Sequence, residues 1–234
     1  QLFFHDGREG GLEYQPDGFA THIAPTTEDG QPVAVPYNYF DGEVTLHAAH
    51  PWVFHDGWAG GRLIPEGPGV PPTTDGGERN DWDRLVLIAD PVGTDCQTGP
   101  GTADAEALAE SIRTDPNLEA TAPVAVSAGG AEALMMDVVI AAGTSICDRV
   151  DHLGNPLRLG VLSPVFGDWA EMDVDNGLAT GLATGDLMRL YLFDVPEGSS
   201  MRILAIAIIA PESRFERAVE AAAPVVDSVE FHAP

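Results

Sequence analysis

The chain has 234 residues, enough for one large domain, and its 37 acidic residues outnumber 11 basic residues to give a net charge of −26. All the basic residues are arginine, and lysine is absent. This charge repels phosphate, so it argues against nucleic acid and anionic membranes as partners. No apolar run reaches the roughly 18 residues that a membrane-spanning helix needs, so the sequence contains no transmembrane segment.

The first 64 residues are punctuated by Asp-Gly pairs. Asp-Gly favours tight hairpin turns because glycine tolerates a positive φ, and the stretches between the pairs alternate in polarity as strands do. Residues 1–64 are therefore predicted to form a β-rich meander. Residues 65–80, dense in proline, glycine and threonine, predict a linker or a long surface loop. The aspartates of the pairs are Asp6, Asp17, Asp29, Asp41 and Asp56.

The chain contains two cysteines, Cys96 and Cys147, and neither occurs in a C-x-x-C pair of the kind that binds metal. We expect a disulfide between them, which closes a loop of about fifty residues and adds roughly 2–4 kcal/mol of stability. A disulfide implies an oxidising compartment, so the protein is predicted to be extracellular or at the cell surface. The alternative is a pair of free thiols in a cytosolic protein. Because the chain begins at Gln1, we also expect a signal peptide or a tether to have preceded it.

Residues 81–234 combine strands and helices. A buried strand is predicted at Arg84–Asp90, and a helix from about Ala103 to Arg113 with Thr102 as its N-cap. Two consecutive glycines further on predict a hairpin turn, and the second arm of that hairpin is Ala133–Ile140. This part of the chain is therefore predicted to contain helices as well as strands, unlike the meander that precedes it.

The clearest hairpin pairs Leu187–Val195 with Met201–Ala210. The nearly continuous apolar run within its second arm, Ile203–Ile209, indicates a central strand that is covered on both faces. The closing helix is predicted to open with a capping box of Ser213 and Glu216. Pro224 is predicted to kink or end that helix, and a short strand finishes the chain.

Several phrases of the second part carry a resemblance. They are "DPVGTDC", the helix after it, "APVAVSAGGAEALMMDV", the second cysteine, "DLMRLYLFDVPEG" and the closing "AAAPVVDSVEF". From about Asp83 to Phe231 the chain resembles the PsbP-like and LpqN-like extracytoplasmic domains of high-GC Gram-positive bacteria. The resemblance implies an α+β fold, a PsbP-like α/β sandwich of an antiparallel sheet with packed helices, here preceded by the meander. It carries no catalytic motif and implies a mostly non-enzymatic role in binding partner proteins.

A histidine cluster is the first candidate site. His47, His50 and His55 lie within nine positions, with Asp56 beside the last. Zinc and copper sites need converging imidazoles, and a hairpin of Thr45–His47 with Val53–His55 brings the first and last histidines to one face in only one of two registers. The alternative is a set of exposed hairpin histidines.

An acidic loop is the second candidate. Asp173, Asp175 and Asn176 precede a glycine and resemble part of a calcium loop, since calcium takes six to eight oxygen ligands. The spacing is one residue short of a standard loop, and Asx-Gly turns account for the pattern without metal. No cofactor other than such a calcium or transition-metal ion is predicted.

Aromatic residues cluster in the meander and form the third candidate. Tyr39, Trp52 and Trp58 are typical of a platform for sugar or for a partner protein. The alternative is that a small β-rich unit needs them for its own core.

The leading functional prediction is a secreted or surface-tethered protein without catalysis, which binds a protein partner or supports an extracytoplasmic assembly. No serine lies in G-x-S-x-G and no phosphate-binding loop is present, so no catalytic residue is assigned. The first alternative is a metal-dependent enzyme or metal-binding protein that uses the histidine cluster. The second is a carbohydrate-binding module in the N-terminal part.

Overall fold

The structure is a computed structural model. It describes residues 3–6, 11–14, 22–24, 33–34, 44–46, 52–57, 60–65, 83–93, 104–144, 159–164, 180–182, 185–199 and 201–232. The strands are β1 (Phe3–Asp6), β2 (Gly11–Tyr14), β3 (His22–Ala24), β4 (Val33–Ala34), β5 (Val44–Leu46), β6 (Trp52–Gly57), β7 (Gly60–Pro65), β8 (Arg84–Ala89), β9 (Pro91–Gly93), β10 (Leu118–Ala120), β11 (Val124–Ala128), β12 (Ala131–Ile140), β13 (Leu159–Pro164), β14 (Thr180–Leu182), β15 (Asp186–Asp194), β16 (Ile203–Pro211) and β17 (Glu230–Phe231). The helices are α1 (Ala105–Thr114) and α2 (Phe215–Val226), and a 3-10 helix spans Glu212–Arg214.

A mostly antiparallel sheet carries the core, with strand order β10-β12-β15-β16-β8-β7-β6-β3-β1-β2 and with β11 also paired to β12. All eight residues of Ile203–Ala210 on β16 are buried. Because alternate residues of a strand face opposite ways, Leu204 joins the core that α2 covers and Ala205 joins the core that α1 covers. The predicted α+β class and the central strand covered on both faces are confirmed.

Helix α1 packs on one face of the sheet through buried side chains such as Leu108 and Ile112. The prediction of Thr102 as the N-cap is wrong, because the helix begins at Ala105 and Asp104 occupies the capping position. The Asp104 Oδ1 atom accepts a hydrogen bond from the Ala107 N–H at 2.8 Å.

Helix α2 covers the opposite face, and the capping box predicted at its start is not formed. Ser213 lies inside the preceding 3-10 helix, and the residue before α2 is Arg214, which makes no side-chain capping bond. Pro224 lies within α2, which continues for two further residues and ends at Val226. The prediction that Pro224 ends the helix is therefore correct to within two residues.

The predicted glycine-turned hairpin is confirmed as β11 and β12. The two strands pair antiparallel from Val124 opposite Met135 to Ala128 opposite Ala131. The two glycines between the strands have φ angles of 59° and 76°. Two consecutive positive φ angles define the tight turn whose twist matches a hairpin, and glycine adopts them without steric cost.

The second predicted hairpin is also confirmed. Strands β15 and β16 pair antiparallel along their whole length, from Asp186 opposite Pro211 to Asp194 opposite Ile203. On its other edge β16 pairs with β8. The predicted terminal strand is present as β17, which pairs with β5 near the other end of the chain.

The N-terminal strands depart from a simple meander. Strands β1 and β2 form a hairpin, as do β6 and β7, but β3 pairs parallel to β1 and antiparallel to β6. Strands β4 and β5 join β17 in a separate three-stranded sheet. Strand β7 pairs with β8, across the segment predicted to be a linker. Residues 66–82 of that region lie outside the described part, and the domain boundaries stay a prediction.

The predicted hairpin of Thr45–His47 with Val53–His55 is wrong. Strand β5 has β4 on one edge and β17 on the other, and strand β6 lies between β3 and β7. The physical reason is the burial of β5, because Val44 and Leu46 are both 0% exposed in the core that α2 covers. Apolar burial therefore directs β5 to the C-terminal strand and away from the histidine-bearing strand.

Candidate functional site

Most of the residues predicted to form sites lie outside the residues that the structure describes. Of the exceptions, Trp52 and His55 belong to β6, where Trp52 is opposite Pro65 and His55 is opposite Ile23 and Arg62. The histidine, calcium and aromatic sites therefore stay predictions, as does the disulfide. The predicted residues outside the described part are Tyr39, His47, His50, Trp58, Cys96, Cys147, Asp173, Asp175 and Asn176.

The described residues contain neither a metal-ligand cluster nor a membrane-spanning helix. Within the described ranges, no three His, Cys, Asp or Glu side chains are grouped so that they could hold a metal ion. In the same part of the chain, neither helix is long and apolar enough to cross a membrane.

Strand β11 has an edge that no described strand occupies. It pairs with β12 on one side, and no described strand pairs with its other side. Val124 is 54% exposed and is the exposed large hydrophobic residue of the described chain, while Ala125 and Ser127 are also exposed. We call Val124–Ala128 the open edge. Exposed strand edges are templates for pairing with another chain.

The register of the hairpin shows which backbone groups the open edge presents. The residues that flank a two-residue turn exchange hydrogen bonds, so Ala128, Val126 and Val124 direct their backbone groups toward β12. The intervening residues, Ala125 and Ser127, direct their N–H and C=O groups away from β12. The described residues contain no backbone partner for these outward groups.

The face of the open edge on the α2 side is apolar with one ion pair beside it. Val124 lies opposite Met135 on β12, which is half-buried. Two strand positions further along β12, Asp137 forms a bidentate pair with Arg189 at 2.8 and 2.9 Å. The Arg189 guanidinium also lies 5.5 Å from the centre of the Phe215 ring. The pair is thus held by the helix as well as by the sheet.

The pKa values on this face follow from these contacts. The hydrogen bonds to Asp137 raise the pKa of Arg189 above its usual range, so the guanidinium stays charged. Burial raises the pKa of the neighbouring Tyr191 phenol, which therefore stays neutral at physiological pH. This face consequently presents neutral side chains beside one internally compensated ion pair.

The face on the α1 side is acidic. A shallow, open depression of about 420 Å³ lies between the first turns of α1 and Pro123, the residue before the open edge. Its acidic residues are Asp104, Glu106 and Glu110. Glu110 bonds to Arg113 at 2.6 Å, which lowers the pKa of the Glu110 carboxyl. With one arginine against three carboxylates, the depression keeps a negative charge at neutral pH.

The arrangement offers binding chemistry. It combines outward-facing backbone donors and acceptors, an apolar side and an acidic side within one strand and its neighbours. The two consecutive glycines predict this hairpin correctly, but the prediction did not include the position of its first arm at an edge of the sheet. One signal was available, since Pro123 comes immediately before an uncharged strand, and proline in sheets is confined to edges and strand starts.

The comparisons with known proteins concern the fold. No protein-family model and no curated protein matches the chain. It is similar to a crystal structure of LpqN, described as involved in cell envelope biogenesis of Mycobacterium tuberculosis, with 12% identity and a TM-score of 0.46 over 95% of this chain and 99% of that chain. It is also similar to a solution structure of PsbP from the cyanobacterium Synechocystis, with 11% identity and a TM-score of 0.33 over 81% of this chain and 93% of that chain. These are the two kinds of protein that the sequence resembles.

Proposed function

We propose that the chain is a secreted or surface-tethered, non-enzymatic protein that binds a protein partner at the open edge. The observation that carries the proposal is an exposed, uncharged edge strand, in which Val124 is 54% exposed and the outward backbone groups of Ala125 and Ser127 have no partner among the described residues. Addition of a strand from another chain satisfies such groups with backbone hydrogen bonds, which is a recurring mode of protein recognition.

Two features of the sequence support the extracytoplasmic part of the proposal. The chain carries a pair of cysteines, and its second part resembles extracytoplasmic domains. The charge of −26 is compatible with a secreted protein that stays soluble and resists non-specific association. The partner is therefore sought outside the cytoplasm of the organism that makes the protein.

Site-specific photo-crosslinking tests the proposal. A photoreactive amino acid replaces Val124 at the open edge or Glu220, which is exposed on α2 and is not part of the open edge. Both variants are expressed in the native organism and irradiated on intact cells. We expect a discrete adduct from position 124 and none from position 220. An adduct from position 220 alone, or from neither position, contradicts a partner site at the open edge.

A further inference from the structure

We propose that the partner contributes an extended segment in which apolar and basic side chains alternate, and that this segment pairs with the open edge as an added strand. The inference rests on the proposed function and specifies the chemistry of the partner. It follows from three properties of the open edge: its length, the different character of its two faces, and the sign of the surrounding charge.

The length of the open edge limits the added strand to a short one. Pro123 has no backbone N–H, so the ladder cannot extend past Val124 in that direction. At the other end, Gly129 and Gly130 turn the chain back into β12. Between these limits, Ala125 and Ser127 present their N–H and C=O groups outward. The partner segment consequently needs about five residues in extended conformation to occupy the edge.

Side chains of the added strand on the α2 side meet an apolar surface. Val124 is exposed there, and Val126 packs partly against the core that α2 covers. The charged residues beside them, Asp137 and Arg189, already neutralise each other in a bidentate pair. An apolar partner side chain on this side is stabilised by covering Val124, and it meets no unpaired charge. Apolar residues therefore fit every second position of the partner segment.

Side chains of the added strand on the α1 side meet carboxylates. Ala125 and Ser127 lie opposite Leu134 and Glu132 on β12, and the side chain of Glu132 is exposed. Glu106 is exposed in the adjoining depression, and no described residue forms an ion pair with it. Since this side is negatively charged and its residues Ala125 and Ser127 are small, lysine or arginine fits the alternate positions of the partner.

Charge also argues against a second copy of this chain as the occupant. The segment that would be donated, Val124–Ala128, contains no basic residue. Two copies with a net charge of −26 each repel one another, and edge-to-edge pairing would bring their acidic depressions together. The same field attracts a basic segment and raises its association rate at low ionic strength.

The test uses a synthetic peptide of about ten residues that alternates lysine with valine, labelled at one end for fluorescence anisotropy. Its controls are the same peptide with glutamate for lysine, and the lysine peptide methylated on alternate backbone nitrogens, prepared in both phases of the alternation. We expect the lysine peptide to bind and to weaken as salt rises. We expect the glutamate peptide not to bind, and one methylated peptide to lose about tenfold or more in affinity.

Variants of the full chain locate the bound peptide. Ser127→Pro removes an outward N–H and should weaken binding about tenfold, while Ser127→Ala keeps that N–H and should leave the affinity within about twofold. Glu106→Lys should weaken binding, whereas Glu220→Lys, the same charge change on the opposite face, should have a smaller effect. If Ser127→Pro does not fold, the methylated peptides still report whether backbone pairing is used.

The outcomes separate the inference from the proposed function. Equal binding of both lysine and glutamate peptides, or binding insensitive to Ser127→Pro and to methylation, overturns the inference. An adduct from position 124 on cells without any binding of the lysine peptide leaves the proposed function standing and overturns the partner chemistry. A dimer of this chain that Ser127→Pro dissociates also overturns it, because the occupant is then a second copy.

Discussion

Gly129, at the tip of the β11–β12 hairpin, lies against the backbone carbonyl of Val229, between α2 and β17. A Cβ atom built on Gly129 would overlap the Val229 carbonyl oxygen, whereas a Cβ atom on Gly130 would meet open space. Val229 is itself 0% exposed, so its carbonyl cannot move aside freely. This contact fixes the hairpin that carries the open edge to the buried C-terminal segment.

The two glycines provide a matched pair of substitutions. Gly130→Ala introduces a positive φ at a non-glycine residue and should cost about 1 kcal/mol of unfolding free energy. Gly129→Ala adds the overlap with Val229 to the same backbone strain, so we expect a loss larger by about 1–3 kcal/mol. Urea denaturation of the two variants measures both values. Equal losses would contradict the close approach of the turn to Val229.

The Asp137–Arg189 pair should contribute measurably to stability. It is bidentate and partly buried, with side-chain exposures of 32% and 19%, and α2 lies over it. A double-mutant cycle with Asp137→Asn and Arg189→Gln should give a coupling energy of about 1 kcal/mol. The same cycle on the exposed pair of Glu110 and Arg113 should give a smaller value, because solvent screens that pair. If the coupling energy of the Asp137–Arg189 pair is no larger than that of the exposed Glu110–Arg113 pair, the partly buried contact on the sheet does not add to stability.

Strand β5 should be part of the core although it lies in the N-terminal part of the chain. Leu46 is fully buried with residues of α2 and with Val229. Leu46→Ala should therefore lower the unfolding free energy by about 2–5 kcal/mol. Val124→Ala removes methyl groups from an exposed side chain and should change the unfolding free energy by less than about 0.5 kcal/mol. A similarly small loss for Leu46→Ala would argue that β5 does not pack against the C-terminal segment.

The disulfide predicted between Cys96 and Cys147 is tested by titrating thiols in the denatured, non-reduced protein. We expect no free thiol, and we expect reduction to lower stability by roughly 2–4 kcal/mol. Two free thiols per chain would contradict both the bridge and the oxidising compartment inferred from it. The Cys96→Ala/Cys147→Ala double variant provides the reference for the stability of the chain without the bridge.

Features set by neighbouring residues in the sequence were predictable. The apolar run of β16 indicated burial on both faces, and two consecutive glycines indicated the turn of the β11–β12 hairpin. The capping box failed because Ser213 entered a 3-10 helix, a choice that depends on how the chain leaves β16. A local sequence pattern predicts the secondary structure that a segment can form, but it does not predict which other segments it packs against.

Features set by distant pairing were not predictable in the same way. Strand β5 pairs with β17 near the other end of the chain, so the short sequence separation of His47 and His55 misled the prediction of a hairpin. The open edge was missed for a related reason. Alternation along β11 shows its two faces, but only the order of strands in the sheet shows that no described strand follows on its outer side.

Residue-resolved amide hydrogen exchange tests the central claim most directly, because it reads which backbone groups of β11 are unpaired. In the free protein, the amides of Ala125 and Ser127 should exchange much faster than those of Val124 and Val126, which point toward β12. Addition of the alternating lysine–valine peptide should slow exchange at Ala125 and Ser127 alone. Protection of these two amides equal to that of Val126 in the free protein would contradict the open edge.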